Sequence, residues 1–140
     1  MPCYSLIYTS SAVSPFSTAA LLGLLAQLRE RNAPLGLTGI VLYKGGNFMQ
    51  LIEGPEPIVQ GTYARIARDP RHTGVIVLRD QAEAHPLFDE CTMGFVDYND
   101  PEARLAPGFS HFMNDAWMDD FNLSRLPARE RLLRNFRRRM

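Results

Sequence analysis

Residues 47–54, NFMQLIEG, are apolar on both faces of a strand: Phe48 and Ile52 alternate with Met49 and Leu51, and Gln50 stands at the centre. A strand with two apolar faces is covered on both sides. Gln50 brings four hydrogen-bonding sites into that interior, where an unpartnered amide costs about 1–3 kcal/mol. The same reading extends along the chain. Residues 3–10 (CYSLIYTS) form a β-branched and aromatic run, a first strand. Ser14-Pro15 predicts a helix start, with Ser as N-cap and Pro at the first helical position. Leu21, Leu24, Leu25 and Leu28 then recur at helical spacing until Asn32 and Pro34 end the helix. Residues 37–44 are a second strand, and Gly45-Gly46 a hairpin turn into 47–54. Pro57 opens a second helix with the stripe Val59, Tyr63, Ile66, and Pro70 stops it. Residues 73–80 and 87–96 read as two more strands. Residues 109–121, with Phe109, Met113, Trp117 and Phe121 on one stripe, and 127–138 read as two more helices.

The order βαββαββ, followed by two helices, predicts an α+β fold: a ferredoxin-like sandwich built from right-handed βαβ crossovers around a hairpin. The first and third strands are expected side by side and parallel beneath two helices, which makes Tyr8 a neighbour of Gln50. The opposite sheet face carries Met49 and Leu51 and needs a cover, so the two C-terminal helices are placed there. No repeat or linker marks a second domain. Residues 1–98 are expected to form the core and 99–140 a helical extension of the same compact unit.

Composition changes this picture little. With 140 residues, 46% hydrophobic and 21% charged, the chain fits one globular domain. The longest apolar stretch, residues 18–25, is too short to span a bilayer, and no signal-peptide pattern opens the chain. Cys3 and Cys91 lack metal-ligand spacing. A reduced cytoplasmic protein is the expectation. Charge adds more. From Arg125 onward there are seven Arg and one acid, Glu130, so the remaining residues carry eight cations and fourteen acids: a body of −6 and a tail of +6. That tail reads as a solvated amphipathic helix, or as a surface for a partner or an intramolecular latch. Only Phe136 interleaves with the arginines, which disfavours nucleic acid.

Taken singly, the candidate residues have plain structural readings. Tyr8 fits a core tyrosine, Gln50 an amide satisfied by backbone, Asn32 a helix C-cap, Arg65 and Asp69 a surface pair one helical turn apart, and Met93 core filler. Together they converge on the cleft between the two helices, above the sheet. There is no Ser-His-Asp set, Cys-His pair, paired carboxylates or phosphate-cradling loop, and His72, His85 and His111 lie in or beside loops. An enzyme is not expected. Tyr and Gln suit electron transfer and hydrogen-bond switching around a polar redox-active ring.

The segments LIYTS, RNAPLGLTGIVLYKGGNFMQLIEG, IARDPRHTGVIVL and LFDECTMGF, from about Cys3 to Phe95, resemble in order and spacing the BLUF domain, a blue-light sensor that uses FAD. The resemblance implies a flavin between the two helices: FAD, or FMN or riboflavin in its place. It assigns Tyr8 as the light-active tyrosine and Gln50 as the switching glutamine. Asn32 would bond the ring's carbonyl and imide edge. Arg31, Arg65, Asp69 and His72 would complete the flavin site. Cys91 and Met93 on the fifth strand would transmit the signal. Two positions depart from the common pattern: Arg31 stands where many members have Asn or His, and Cys91 where many have Trp. The short stand-alone form implies that output goes to an unidentified downstream protein or through a homodimer. Two other readings compete: a light-inactive interaction domain of the same fold with an empty flavin site, and an RRM-like RNA-binding module. The second is disfavoured because Gly46 and Leu51 occupy positions where stacking aromatics belong. An acylphosphatase-like hydrolase lacks its anion loop, since TSSAVSP follows the first strand.

Overall fold

The computed structural model describes residues 3–87, 94–97, 129, 132 and 133. The elements are β1 (Cys3–Ala12), α1 (Thr18–Asn32), β2 (Thr38–Lys44), β3 (Asn47–Gly54), α2 (Glu56–Ala67), β4 (His72–Glu83) and β5 (Gly94–Asp97). They build one five-stranded sheet in the order β4-β1-β3-β2-β5. This is the expected ferredoxin-like α+β sandwich, with β5 added parallel to β2.

The direction of β3 corrects the sequence reading. β1 and β3 pair antiparallel, not parallel, with Tyr8 opposite Gln50. The reason is the hairpin. Gly45 and Gly46, at φ 57° and 82°, make a two-residue turn of the kind that reverses a chain directly. β2 follows β1 through a crossover helix and runs the same way. β3 inserts between them and so opposes both. The adjacency of Tyr8 and Gln50 survives, in a tighter form: directly opposed residues share a face, with Cβ atoms about 4.5–5.5 Å apart.

Element ends differ too. Helix α1 starts later than Ser14-Pro15. Its N-cap is Ser17, whose Oγ accepts from the Ala20 N–H. The residues before it are held by Phe16, whose N–H donates to the Tyr43 hydroxyl and whose ring meets Tyr43 and Phe48 edge-on. Packing of Phe16 therefore overrides the Ser-Pro signal. Helix α2 begins at Glu56 with Pro57 as its second residue, and ends at Ala67. β4 runs on to Glu83, because it pairs with β1 as far as Cys3. Of the fifth strand expected over 87–96, Gly94–Asp97 is described, and Cys91 and Met93 lie outside the described residues. The 109–121 helix also lies outside them; from 127–138, residues 129, 132 and 133 are helical.

Burial follows the two faces. On the helix side, Leu21 and Leu25 of α1 pack on Val41, Tyr43 and Phe48, while Val59 of α2 packs with Leu6, Tyr8 and Ile52. On the other side Ile7, Ile40, Leu42, Met49 and Leu51 are all buried as well. This is the two-faced covering that the 47–54 pattern requires. Among the described glycines, Gly39 has the tightest approach to a neighbouring backbone. It holds φ 149°, and a Cβ there would sit 1.9 Å from the Leu51 carbonyl oxygen. Gly39→Ala is therefore expected to destabilise the fold by on the order of 3 kcal/mol, from strain and overpacking together. Chemical denaturation measures it, and a loss within about 0.5 kcal/mol, as for an ordinary surface change, would refute the close approach.

Candidate functional site

Helices α1 and α2 leave a cleft of about 630 Å³ between them, part of it open to solvent. Its apolar walls come from Phe16, Leu24, Leu28, Val41, Phe48 and Ile66. Leu24 and Leu28 lie on the same helical stripe as the buried Leu21 and Leu25, but turn towards the cleft. Tyr8 and Gln50 line it from β1 and β3, and Arg31, Thr62, Arg65, Asp69, Arg71 and His72 complete the polar lining.

The centre of the cleft is one hydrogen bond. The Tyr8 hydroxyl donates to Gln50 Oε1 at 2.5 Å, with both side chains buried. The amide thus finds a side-chain partner across the sheet. Burial, reinforced by the charge of Asp69 and by Tyr63, pushes the Tyr8 phenol well above its ordinary range. It therefore stays a neutral O–H donor. The Tyr63 ring stands edge-on to Tyr8 at 6.0 Å and the His72 ring at 6.2 Å.

His72 is locked from both sides. Its Nε2 lies 2.6 Å from the Ile66 carbonyl, which can only accept, so Nε2 carries the proton. Its Nδ1 lies 2.7 Å from Ser10 Oγ. The ring thereby ties the end of α2 to β1 beside Tyr8. Asp69 is not the helical partner of Arg65 that the four-residue spacing suggests. Helix α2 ends at Ala67, so Asp69 lies beyond the last turn. It pairs instead with Arg71, whose Nε and Nη2 reach its two oxygens at 3.0 and 2.6 Å. Those bonds hold the Asp69 carboxyl below its usual range. Arg71 is a cleft residue that the sequence reading passed over. The available signal was DPRHTG, three ionisable residues packed around the helix-stopping Pro70 at the mouth of the cleft.

Asn32 is 1% exposed, and its side-chain oxygen and nitrogen both lack a hydrogen-bond partner among the described residues. Its main-chain carbonyl accepts from Leu35 and Leu37, so the backbone role as helix terminus is filled independently of the amide. It is not among the cleft-lining residues; Leu28 and Arg31, on the same last turns of α1, are. Two orphaned polar atoms in the interior cost about 1–3 kcal/mol each unless something binds them.

A cleft with apolar walls and a buried Tyr–Gln pair, with the unsatisfied Asn32 amide on the neighbouring last turn of α1, suits a heteroaromatic ring with a polar edge. Comparison with known proteins names the ring. The family model described as "Sensors of blue-light using FAD", BLUF, matches residues 3–94. The chain belongs to the BLUF family. It is a blue-light photoreceptor domain that binds flavin as FAD, and BLUF domains are sensory modules.

Among relatives, photoactivated adenylate cyclase subunit beta of Euglena longa is 39% identical over 116 residues, covering 76% of this chain and 14% of that protein. The blue light- and temperature-regulated antirepressor BluF of Escherichia coli is 45% identical over 49 residues, covering 35% of this chain and 12% of its own length. The chain thus spans only a small part of either relative. Among solved structures, the dark state of the BLUF protein BlrB superposes with TM-score 0.66 at 31% identity, covering 74% of this chain and 76% of that one. Klebsiella pneumoniae BlrP1 superposes with TM-score 0.76 at 28% identity, covering 98% of this chain and 34% of that one. Among the described residues no helix is long and apolar enough to cross a membrane.

Proposed function

We propose that this domain converts blue-light absorption into a rearranged hydrogen-bond network at Tyr8 and Gln50. The observation that carries the reading is the buried 2.5 Å bond between them on the cleft floor. Leu24, Leu28 and Ile66 would flank the ring. Asn32 would satisfy its orphaned amide on the ring's carbonyl and imide edge. Arg31, Arg65, Asp69, Arg71 and His72 would meet the remaining polar groups. Bound there, oxidised flavin supplies the blue absorption and, once excited, a one-electron acceptor.

The protein's part is a proton and a hydrogen bond. Tyr8 would give up an electron to the excited flavin and its phenolic proton through Gln50, and would then take both back, so that no net oxidation remains. Gln50 would be left in a different arrangement, through rotation or tautomerisation of its amide. Either orientation is compatible with Tyr8, because a phenol O–H donates to Oε1 and a phenol oxygen accepts from an amide N–H. Two satisfied arrangements separated by a barrier make a bistable element. Its readout is a red-shifted absorption band that decays in the dark. Output would pass through the fifth strand, with Cys91 and Met93, and the C-terminal residues of the 99–140 extension to a downstream protein or a second copy. The connectivity supports this route, since β5 pairs with β2 and β2 with β3.

The test is to load the full chain with FAD, illuminate it with blue light and record the difference spectrum. A reversible red shift supports the reading. A flavin-loaded protein with no light-induced shift ends it, and a chain that takes up no FAD favours the light-inactive interaction domain with an empty flavin site. For Asn32, an Asn32→Ala variant is expected to weaken FAD binding by about 1–2 kcal/mol, or roughly 5- to 30-fold, while apoprotein stability holds. Flavin titration measures the first and thermal unfolding the second. Unchanged affinity with a destabilised apoprotein would return Asn32 to a purely structural role.

A further inference from the structure

Glu53 lies three residues beyond Gln50 on β3, on the opposite face of the sheet, and its side chain is 0% exposed. A carboxylate in that position needs partners, and it has two sets. Oε1 accepts from the Leu87 N–H at 2.6 Å. Oε2 is paired with the guanidinium of Arg129. The same Arg129 Nη1 also donates to the His85 carbonyl at 3.0 Å, and Nη2 stands 3.7 Å from Glu83 at the end of β4. Arg79 holds Glu83 from the strand side. One side chain from the basic C-terminal residues thus joins β3, the end of β4 and the segment after it. Leu133, one helical turn further on, is fully buried.

The arrangement has features that a surface ion pair lacks. The Arg129 side chain is 12% exposed, and the two nitrogens of its planar fork reach Glu53, the His85 carbonyl and Glu83 from one side chain, a spread that the single nitrogen of a lysine does not match. A buried charge that loses its partner is left unpaired in the interior, so the pair is closed or open with little between. Glu53 is also joined to Gln50 by only two intervening residues of the same extended strand.

We propose that Glu53 is the sheet's docking site for the C-terminal residues, that Arg129 is the side chain it captures, and that this contact hands changes at Gln50 along β3 to those residues. The last clause rests on the photochemical reading above; the docking itself does not. Release of Arg129 would free an arginine-rich segment for an acidic partner surface.

Hydrogen exchange on the full-length, FAD-loaded chain tests both halves. In the dark, amides of residues 129–133 are expected to exchange at least tenfold faster in Arg129→Met than in the unsubstituted protein, with Arg129→Lys in between. FAD absorbance confirms that each variant is folded. Glu53→Gln, which keeps an acceptor for Leu87 but loses the charge, should behave like Arg129→Met. Unchanged dark protection in Arg129→Met overturns the docking. Blue light should raise exchange over the same residues in the unsubstituted protein and add nothing in Arg129→Met. A red shift without any exchange change in the unsubstituted protein overturns the hand-over while leaving the docking and the photochemistry standing. A light response that persists equally in Arg129→Met sinks the hand-over through this contact alone. Absence of the red shift itself marks failure of the photochemical reading, and the dark comparison then still decides the docking.

Discussion

Gln50→Leu is expected to bind FAD and give no red-shifted state. Leucine fills similar volume at this position but offers neither donor nor acceptor. The Tyr8 hydroxyl, now donating to Gln50 Oε1 at 2.5 Å, would lose that acceptor inside the core. The unsatisfied hydroxyl should cost about 1–3 kcal/mol of stability, a loss that denaturant unfolding can register. The larger effect is on the switch. Two alternative hydrogen-bonded states need a group that can exchange donor for acceptor at one place, and no aliphatic side chain can. The light-minus-dark spectrum decides the matter. A difference band of normal amplitude in Gln50→Leu would remove the amide from the mechanism and leave its burial unexplained.

The two-sided apolar pattern of 47–54 required a strand covered on both faces, and burial runs unbroken from Phe48 to Glu53. The leucine stripe of α1 and the Val59, Tyr63, Ile66 stripe of α2 were equally plain, because a helix in such a sandwich has one core face and must mark it at a period near four. Element order alone put Tyr8 beside Gln50. Their relative direction was misjudged, since adjacency in a sheet does not reveal polarity unless the hairpin and the crossover are traced together.

The missed features share another cause. Local signals lose to tertiary contacts. Ser14-Pro15 is a good helix start in isolation, yet Phe16 packs on Tyr43 and Phe48 and delays the helix to Ser17. The four-residue spacing of Arg65 and Asp69 assumes a helix that in fact ends at Ala67. Beyond that point loop geometry decides, and it gives Asp69 to Arg71. Glu53 looks like a solvated residue at a strand end until its partner appears, and that partner is 76 residues away. A contact of that separation leaves no local signature in a sequence.

Tyr8→Phe is expected to retain FAD and lose the normal red shift. Phenylalanine keeps the ring that packs with Leu6, Ile52 and Val59, so the fold and the cleft should persist. What disappears is the hydroxyl: the proton that Gln50 would pass and the group that makes the electron recoverable. Because burial holds the phenol above its ordinary value near pH 10, Tyr8 enters as a neutral donor at every working pH. The photoresponse should therefore be flat across neutral and mildly alkaline pH. A tyrosine whose folded pKa is raised contributes stability that is intact below about pH 10 and declines above it, as the unfolded chain ionises. Tyr8→Phe should lessen that alkaline decline. Among the described residues, Tyr63 is an alternative donor, its ring 6.0 Å from that of Tyr8. Transient absorption on three variants separates the possibilities. Loss of the red-shifted state in Tyr8→Phe, with Tyr63→Phe unaffected, supports Tyr8 as donor. A red shift that survives Tyr8→Phe but vanishes in the double Tyr8→Phe, Tyr63→Phe variant would transfer the role to Tyr63. A photocycle unchanged in both would leave the phenol–amide bond a structural feature of the core and nothing more.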